Sequence, residues 1–278
     1  MGEQSVGDTS VCFSGVSFSY QTDSEQVDVL NNLTFSIPKH QVCGLVGPSG
    51  CGKSTVLKII ADLIPKNQRT HMAGTVRVFG ERLENLRNGG YISYVPQNPS
   101  LFPWWTVIDN VMLPYRIAGN ISAVGFSQAE ELLRKVGLWE FRNSKATELS
   151  VGMQRRASIV RALLYSSDLM LLDEPLASLD EMTREEIGIV LAGIQSEFKT
   201  TTIMVSHDLS ETVLFCDRVL VLSPRPSRLV VDIPINLSRP RCFEHRNTDT
   251  FFLALRDIRR ALASAAKRKG AETTTGVQ

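Results

Sequence analysis

Nine consecutive residues, Gly47-Pro48-Ser49-Gly50-Cys51-Gly52-Lys53-Ser54-Thr55, constrain this chain more than any other stretch. They fit the spacing G-x-x-x-x-G-K-[ST] through Gly47, Gly52, Lys53 and Ser54, and each residue type has a task that few substitutes can perform. Glycines let successive main-chain N–H groups curl around phosphate oxygens, Lys53 brings a movable positive charge, and the Ser54 hydroxyl can ligate Mg²⁺. The flanks agree. Gln41 to Val46 reads as a buried strand entering the loop, and Thr55 to Ile60 starts a helix whose N-terminus faces the anion. Strand, loop and helix together point to a bound nucleoside triphosphate rather than to a bare glycine-rich turn.

A length of 278 residues allows one large α/β domain, or a domain with a subdomain, around a substantial core. Lys and Arg number 30 against 29 Asp and Glu, a net charge of +1, so no surface for nucleic acid and no preference for an acidic substrate is expected. Apolar residues reach 43%, yet no run approaches the ~18–20 needed to cross a bilayer. The first residues lack a basic stretch followed by an apolar one, and Val6 occupies the position where a myristoylation pattern needs Ser or Thr. The cysteines Cys12, Cys43, Cys51, Cys216 and Cys242 are odd in number and lack C-x-x-C spacing, so they read as free thiols in a reducing cytosol.

Along the chain, Val11 to Tyr20 alternates as a strand does, and Gln21 to Gln26 breaks it as a turn. Leu33 to Ile37 is a second strand, ended by Pro38. Short β segments follow the loop and its helix at Gly74 to Phe79 and at Tyr91 to Val95. The middle turns helical. Ser127-Gln128-Ala129-Glu130 fits a capping box, Leu132, Leu133 and Val136 share one face, and Gly137 is placed to stop the helix. Another helix is expected from about Val151 to Tyr165. Strands return at Leu169–Asp173, Thr202–Ser206 and Arg218–Leu222, with a helical pattern from Met182 to Phe198 between the first two. Phe251, Leu255, Ile258 and Leu262 lie on one helical face, and the chain from Gly270 onward reads as a loose tail. No internal repeat is visible, so the chain has one phosphate loop.

Leu169-Met170-Leu171-Leu172-Asp173-Glu174 is four apolar residues ending in two acids. A buried strand that delivers carboxylates at its C-terminal end is where an open α/β sheet places reacting groups. Asp173 can hold the shell of Mg²⁺, and Glu174 can orient or deprotonate an attacking water.

Further motifs extend this pair into a family resemblance. Leu149-Ser150-Val151-Gly152-Met153 resembles the LSGGQ signature of ABC-type ATPases. Tyr94-Val95-Pro96-Gln97 is similar to their Q-loop, Ser178-Leu179-Asp180 to their D-loop, and Ser206-His207-Asp208 to their switch histidine. All fall in the family's order, over roughly residues 10 to 230. The fold this implies is α/β, a phosphate-loop ABC ATPase core with an N-terminal antiparallel β region and an inserted helical subdomain at about 98–160. The ATPase domain would span 10–238, followed by a C-terminal helix and flexible tail over 239–278. The resemblance further implies that Tyr20 stacks on adenine, that Gln97 contacts Mg²⁺, the attacking water and a transporter subunit, and that His207 contacts the γ-phosphate. The expected ligands are then ATP, held by residues 47 to 55, and Mg²⁺, held by Ser54, Gln97 and Asp173.

Ser150 also has a reading of its own. It precedes a helix as an N-cap, so its hydroxyl and the first N–H groups can face an anion. In the family that anion is the γ-phosphate held by the opposite subunit, which implies that Ser150 and Gly152 act across a two-fold dimer. Two departures stand out: Val151 replaces the usual glycine, and Gln154-Arg155 stands where Arg-Gln is common. Val151 either crowds the phosphate or sits harmlessly in the first helical turn. The apolar run Leu101-Phe102-Pro103-Trp104-Trp105 either packs inside the helical subdomain or forms a groove for a membrane subunit.

That run, the segments Leu222 to Leu229 and Leu237 to Arg241, and Phe252 to Arg256 are similar to ATPases of the nitrate/sulfonate/taurine importer group. The implied protein is an ATPase subunit on the cytoplasmic face of the cell membrane, bound peripherally to permease subunits and to a second, identical ATPase subunit. A solute-binding protein would be an indirect partner, and nucleic acid none. A soluble ABC ATPase uncoupled from transport is the alternative, but it would call for a long coiled-coil insertion or a second ATPase domain. A phosphate-loop kinase or GTPase leaves Leu149 to Met153 and His207 without a purpose.

Overall fold

The computed structural model of the chain describes residues 8–65, 69–88, 92–165, 167–177, 179–239 and 241–274. It divides into two compact units, one formed by the chain up to residue 89 together with 201 onward, the other by 90–200. In chain order the elements begin with β1 (Thr9–Gln21), β2 (Gln26–Pro38), β3 (Val42–Val46), α1 (Lys53–Ile60), β4 (Thr70–Val78) and β5 (Glu81–Arg82). The second unit follows with β6 (Ile92–Val95), α2 (Val107–Val111), α3 (Leu113–Ile117), α4 (Ala123–Lys135), α5 (Val151–Leu164), β7 (Leu169–Asp173) and α6 (Glu181–Phe198). The first unit then resumes with β8 (Thr201–Val205), α7 (Leu209–Phe215), β9 (Arg218–Leu222), β10 (Leu229–Pro234) and α8 (Asp249–Thr274).

The first unit holds an antiparallel sheet in the order β2-β1-β4-β5. Strand β1 buries Val11, Phe13, Val16 and Phe18, its alternation shifted by an irregularity between Phe13 and Val16, with Phe13 stacked on Phe35 of β2 at 4.6 Å between ring centroids. The hairpin between β1 and β2 needs only Thr22 to Glu25, closed by the Thr22 N–H donating to the Glu25 carbonyl at 2.9 Å. The expected strand Leu33–Ile37 is therefore the second half of β2. Asn32, at φ 50°, re-phases the alternation between Leu30 and Leu33, which hides the first half from a period-two reading.

Beside it lie the strands β10-β9-β3-β8, with β3 parallel to both β8 and β9, and β10 antiparallel on the outer edge. Every residue of β3 and β8 is buried, which explains the near-continuous apolar run of β3 and, in β8, the Ile203-Met204-Val205 run that follows two buried threonines. Helix α8 buries Phe251, Leu255, Ile258 and Ala265 on one stripe, and it continues to Thr274, past the Gly270 at which the sequence reads as tail. The buried guanidinium of Arg241 donates to the carbonyls of Val213, Leu214 and Cys216, so the C-terminal end of α7 has its orphan acceptors satisfied.

In the second unit β6 and β7 run parallel, pairing Ile92 with Leu169 through to Val95 with Leu172. That register sets the residues following both strands side by side. The same unit holds the short helices α2 and α3 and the longer α4, α5 and α6; α5 packs on α2, α4 and β6. Helix α4 corrects an expectation. Its N-cap is Ser122, whose hydroxyl accepts from the Gly125 N–H at 3.1 Å, so Ser127 and Glu130 lie inside the helix rather than forming its capping box. The earlier start depends on Gly125, where a Cβ would lie 2.9 Å from the Tyr115 ring; the Tyr115 hydroxyl donates to Gln128 at 2.6 Å. Gly137 ends this helix at φ 66°, as its position suggested.

Candidate active site

The phosphate loop leaves β3 at Val46 and enters α1 at Lys53. Gly52 is the N-cap of α1 at φ 108°, and a Cβ there would lie 2.7 Å from Val29 Cγ1, so both backbone and space demand glycine. At Gly50 a Cβ would meet nothing within 4 Å, so this part of the loop lies open, as a cradle for an anion must. Helix α1 has no side-chain cap and no acid in its first turn, so its N–H groups and dipole favour a negative ligand. Lys53 Nζ donates to the carbonyls of Gly47 at 2.9 Å and Pro48 at 3.0 Å, which lays the ammonium back along the loop. Cys51 is buried, and burial pushes its thiol up, so it contributes packing and main chain rather than a reactive sulfur.

Two further candidates belong to the same unit. Tyr20 stands near the end of β1 between Val27 of β2 and Thr70 of β4, its ring half-buried and edge-on to Phe18 at 4.8 Å. His207 follows β8 and is exposed. Its main chain is fixed on both sides: Ser206 Oγ donates to Glu211 at 2.8 Å and accepts from the Asp208 N–H at 3.0 Å. The Asp208 carboxylate in turn caps α7 through Ser210 and Glu211.

The second unit carries the acids. Asp173 ends β7 and is buried, and the Tyr94 hydroxyl donates to its Oδ2 at 3.3 Å. Burial, reinforced by the Asp173 charge, pushes the Tyr94 phenol well above its usual range, so it stays a neutral donor. Glu174 follows at φ 52°, a left-handed backbone that costs a residue with a Cβ roughly 1–3 kcal/mol and that clusters at functional sites. Its Oε2 accepts from Gln97 Nε2 at 3.1 Å, so the two side chains expected to manage the attacking water are in contact. Ser150 caps α5, its hydroxyl accepting from the Met153 N–H at 3.3 Å. Val151 is 56% exposed at the first helical position, so its side chain serves no core, and Gly152 beside it is half-buried. Ser178 of the D-loop motif lies outside the described residues.

The apolar run before α2 divides. Asn110, fully buried, accepts from the Phe102 N–H at 2.7 Å and donates to the carbonyls of Phe102 and Thr106 at 3.1 and 3.0 Å. This clamp shapes a loop in which the Trp105 ring packs at a tilt against Phe102, 4.6 Å between centroids, and lies under Arg116, while Trp104 remains 67% exposed.

Tyr94, Asn110 and Arg155 are site residues to which the sequence assigned no role. Arg155 is buried, and its guanidinium donates to the main-chain carbonyls of both Gln97 and Glu174. Its signal was present in the pattern: Arg155 shares the buried stripe of α5 with Ser158, Ile159 and Ala162.

The family model for ABC transporters matches residues 30–177. The taurine import ATP-binding protein TauB of Rhizobium johnstonii is 37% identical over 213 residues, 77% of this chain and 79% of that protein. The aliphatic sulfonates import ATP-binding protein SsuB of Bacillus cereus is 35% identical over 232 residues, 83% of this chain and 88% of that one. Among solved structures, the ATP-binding cassette MJ0796, as a dimer in a post-hydrolysis state with ADP and Pi, superposes with a TM-score of 0.72 at 28% identity, covering 82% of this chain and all of that one. With its phosphate loop, its paired acids and its capped signature helix, the chain belongs to the ABC transporter family, as an ATP-binding cassette.

Proposed function

We propose that the chain is the ATP-hydrolysing subunit of an importer for small anionic or organic solutes of the nitrate, sulfonate or taurine type. One observation carries the hydrolytic part: Gln97 and Glu174, at the ends of adjacent parallel strands, hold each other at 3.1 Å directly after the buried Asp173. The import part rests on relatives at 32–37% identity, whose names are taurine or aliphatic sulfonates import ATP-binding proteins. Solute choice belongs to partner chains, since an ATPase subunit does not touch the cargo.

In the reaction, the loop from Gly47 to Thr55 holds the phosphates of ATP, Lys53 neutralises the charge on the β- and γ-phosphates, and Tyr20 stacks on the adenine. Ser54, Gln97 and Asp173 offer the hard oxygens that Mg²⁺ takes, a hydroxyl, an amide and a carboxylate. When bound, Mg²⁺ offsets charge on the phosphate oxygens. Glu174 orients the water and accepts its proton as the oxygen attacks the γ-phosphorus in line with the departing ADP. Gln97 fixes the carboxylate from one side, and His207 donates to the γ-phosphate. Ser150 and Gly152 of a second copy present helix N–H groups and a hydroxyl to the same phosphate, so two chains close head to tail around ATP. Phosphate release reopens them, and the movement drives permease subunits that dock on the loop from Phe102 to Trp105 at the cytoplasmic face of the membrane. No helix among the described residues is long and apolar enough to cross a membrane.

The test is Glu174→Gln. It should bind MgATP normally, hydrolyse it at least about a hundredfold more slowly, and elute as a dimer with MgATP during size exclusion. A variant that turns over normally and stays monomeric moves the hydrolytic role to another residue.

A further inference from the structure

Gln154 and Arg155, transposed relative to the common family order, have separate tasks here. Gln154 Nε2 donates to the carbonyls of Ala146 at 3.0 Å and Leu149 at 3.2 Å, and so ties the signature loop to its own helix. Arg155 turns inward, only 4% exposed, with Nη1 on the Glu174 carbonyl and Nη2 on the Gln97 carbonyl. Its Nε–H is buried with no partner among the described residues. A cation carried into such a place with one donor unmet is costly. The arrangement therefore calls for a purpose beyond packing.

We propose that Arg155 is a positioning residue for ATP hydrolysis: one planar fork fixes the main chain at Gln97 and Glu174 so that their side chains meet. The proposal rests on the reading of Glu174 as the group that orients the water. Three geometric facts converge. A guanidinium presents two parallel donors at a fixed spacing, so bonding both carbonyls sets the separation of the two loops. The side chains of the same two residues close the ring at 3.1 Å. Glu174 keeps a left-handed backbone, and donation to its carbonyl favours that orientation of the peptide group over a relaxed one. Arg155 lies one turn inside the helix that Ser150 caps, so the fork ties the main chain at Gln97 and Glu174 to that helix.

The experiment compares full-length wild type with Arg155→Lys and Arg155→Gln in single-turnover ATP hydrolysis. Alongside run ATP affinity, melting temperature and a Gln97→Ala background. A lysine keeps the charge but cannot span both carbonyls; a glutamine keeps a donor without the charge. Both should lose about tenfold or more in rate with ATP affinity within about twofold, the mark of an interaction used in the transition state. In the Gln97→Ala background the same substitutions should cost less than about threefold, because the side chain they align is already gone. Wild-type rates in both variants overturn the proposal. So do equal losses in both backgrounds with a lowered melting temperature, and so does failure of both variants to fold, which make Arg155 a structural clamp. A Glu174→Gln arm separates the levels. If that variant hydrolyses normally, the reading of Glu174 fails; if it is inactive while the Arg155 variants are normal, only the positioning role fails.

Discussion

Glu174 combines a costly backbone with the side chain on which hydrolysis depends, and the two can be measured apart. Glu174→Ala and Glu174→Gly both remove the carboxylate and its bond to Gln97, but only glycine also relieves the left-handed φ of 52°. Both should be inactive, and the glycine form should be more stable by about 1 kcal/mol, roughly 2–4 °C in melting temperature for a domain of this size. Equal melting temperatures would mean the backbone is unstrained. Lys53→Ala removes the cation that neutralises the β- and γ-phosphates and should abolish tight ATP binding; isothermal titration that finds wild-type affinity would undo the loop assignment. Val151 is exposed beside the capping Ser150, so Val151→Gly should lower stability by about 0.5–1 kcal/mol whatever else it does. If the side chain crowds a phosphate across the dimer, ATPase rate at high protein concentration rises as well. At this scale residues with a fixed spacing, Gly47 to Thr55 and the pair Asp173 and Glu174, were legible because phosphate chemistry dictates residue types. Arg155 and Tyr94 were not, since their partners are a main-chain carbonyl 58 positions away and a carboxylate 79 away.

Elements were legible where hydrophobic period and punctuation agreed. β3, β7 and β8 are fully buried and rich in apolar residues, and the sequence placed them within a residue or two. Helix α4 shows where such reading stops. Ser127 and Glu130 have capping-box spacing, but Ser122 captures the first turn, and the close approach of Tyr115 to Gly125 holds it there. The loop from Phe102 to Thr106 is set in the same way by one side chain, Asn110. Asn110→Ala would leave the Phe102 N–H unpaired and should cost roughly 1–3 kcal/mol, read from chemical denaturation. Trp104→Glu, on the exposed part of the same loop, should change stability by less than about 0.5 kcal/mol. It should nevertheless reduce the rise in ATPase rate expected from the proposed permease partner. An unfolded Trp104 variant would instead assign the tryptophan to packing within the unit.

In the proposed dimer of identical chains each brings one phosphate loop and one signature helix, and at the scale of the whole molecule the question is whose helix serves whose nucleotide. Helix α5 has no acid in its first turn, is capped by Ser150, and carries Val151 exposed at its tip, a helix end suited to an anion brought by another chain. Complementation tests this directly. Lys53→Ala disables a chain's own loop, and Ser150→Arg, with its bulk at the capping position, disables its signature; each homodimer should be inactive. Mixed in equal amounts, half of the dimers carry one of each. In these the intact loop of the Ser150 variant meets the intact signature of the Lys53 variant, leaving one good site of two. Independent sites acting in trans then predict recovery of about a quarter of wild-type turnover. A signature acting on its own chain's nucleotide leaves every site defective and gives none. Mixed dimers shown by differential tags to form, yet remaining inactive, would overturn the assignment of independent sites completed in trans by Ser150 and Gly152.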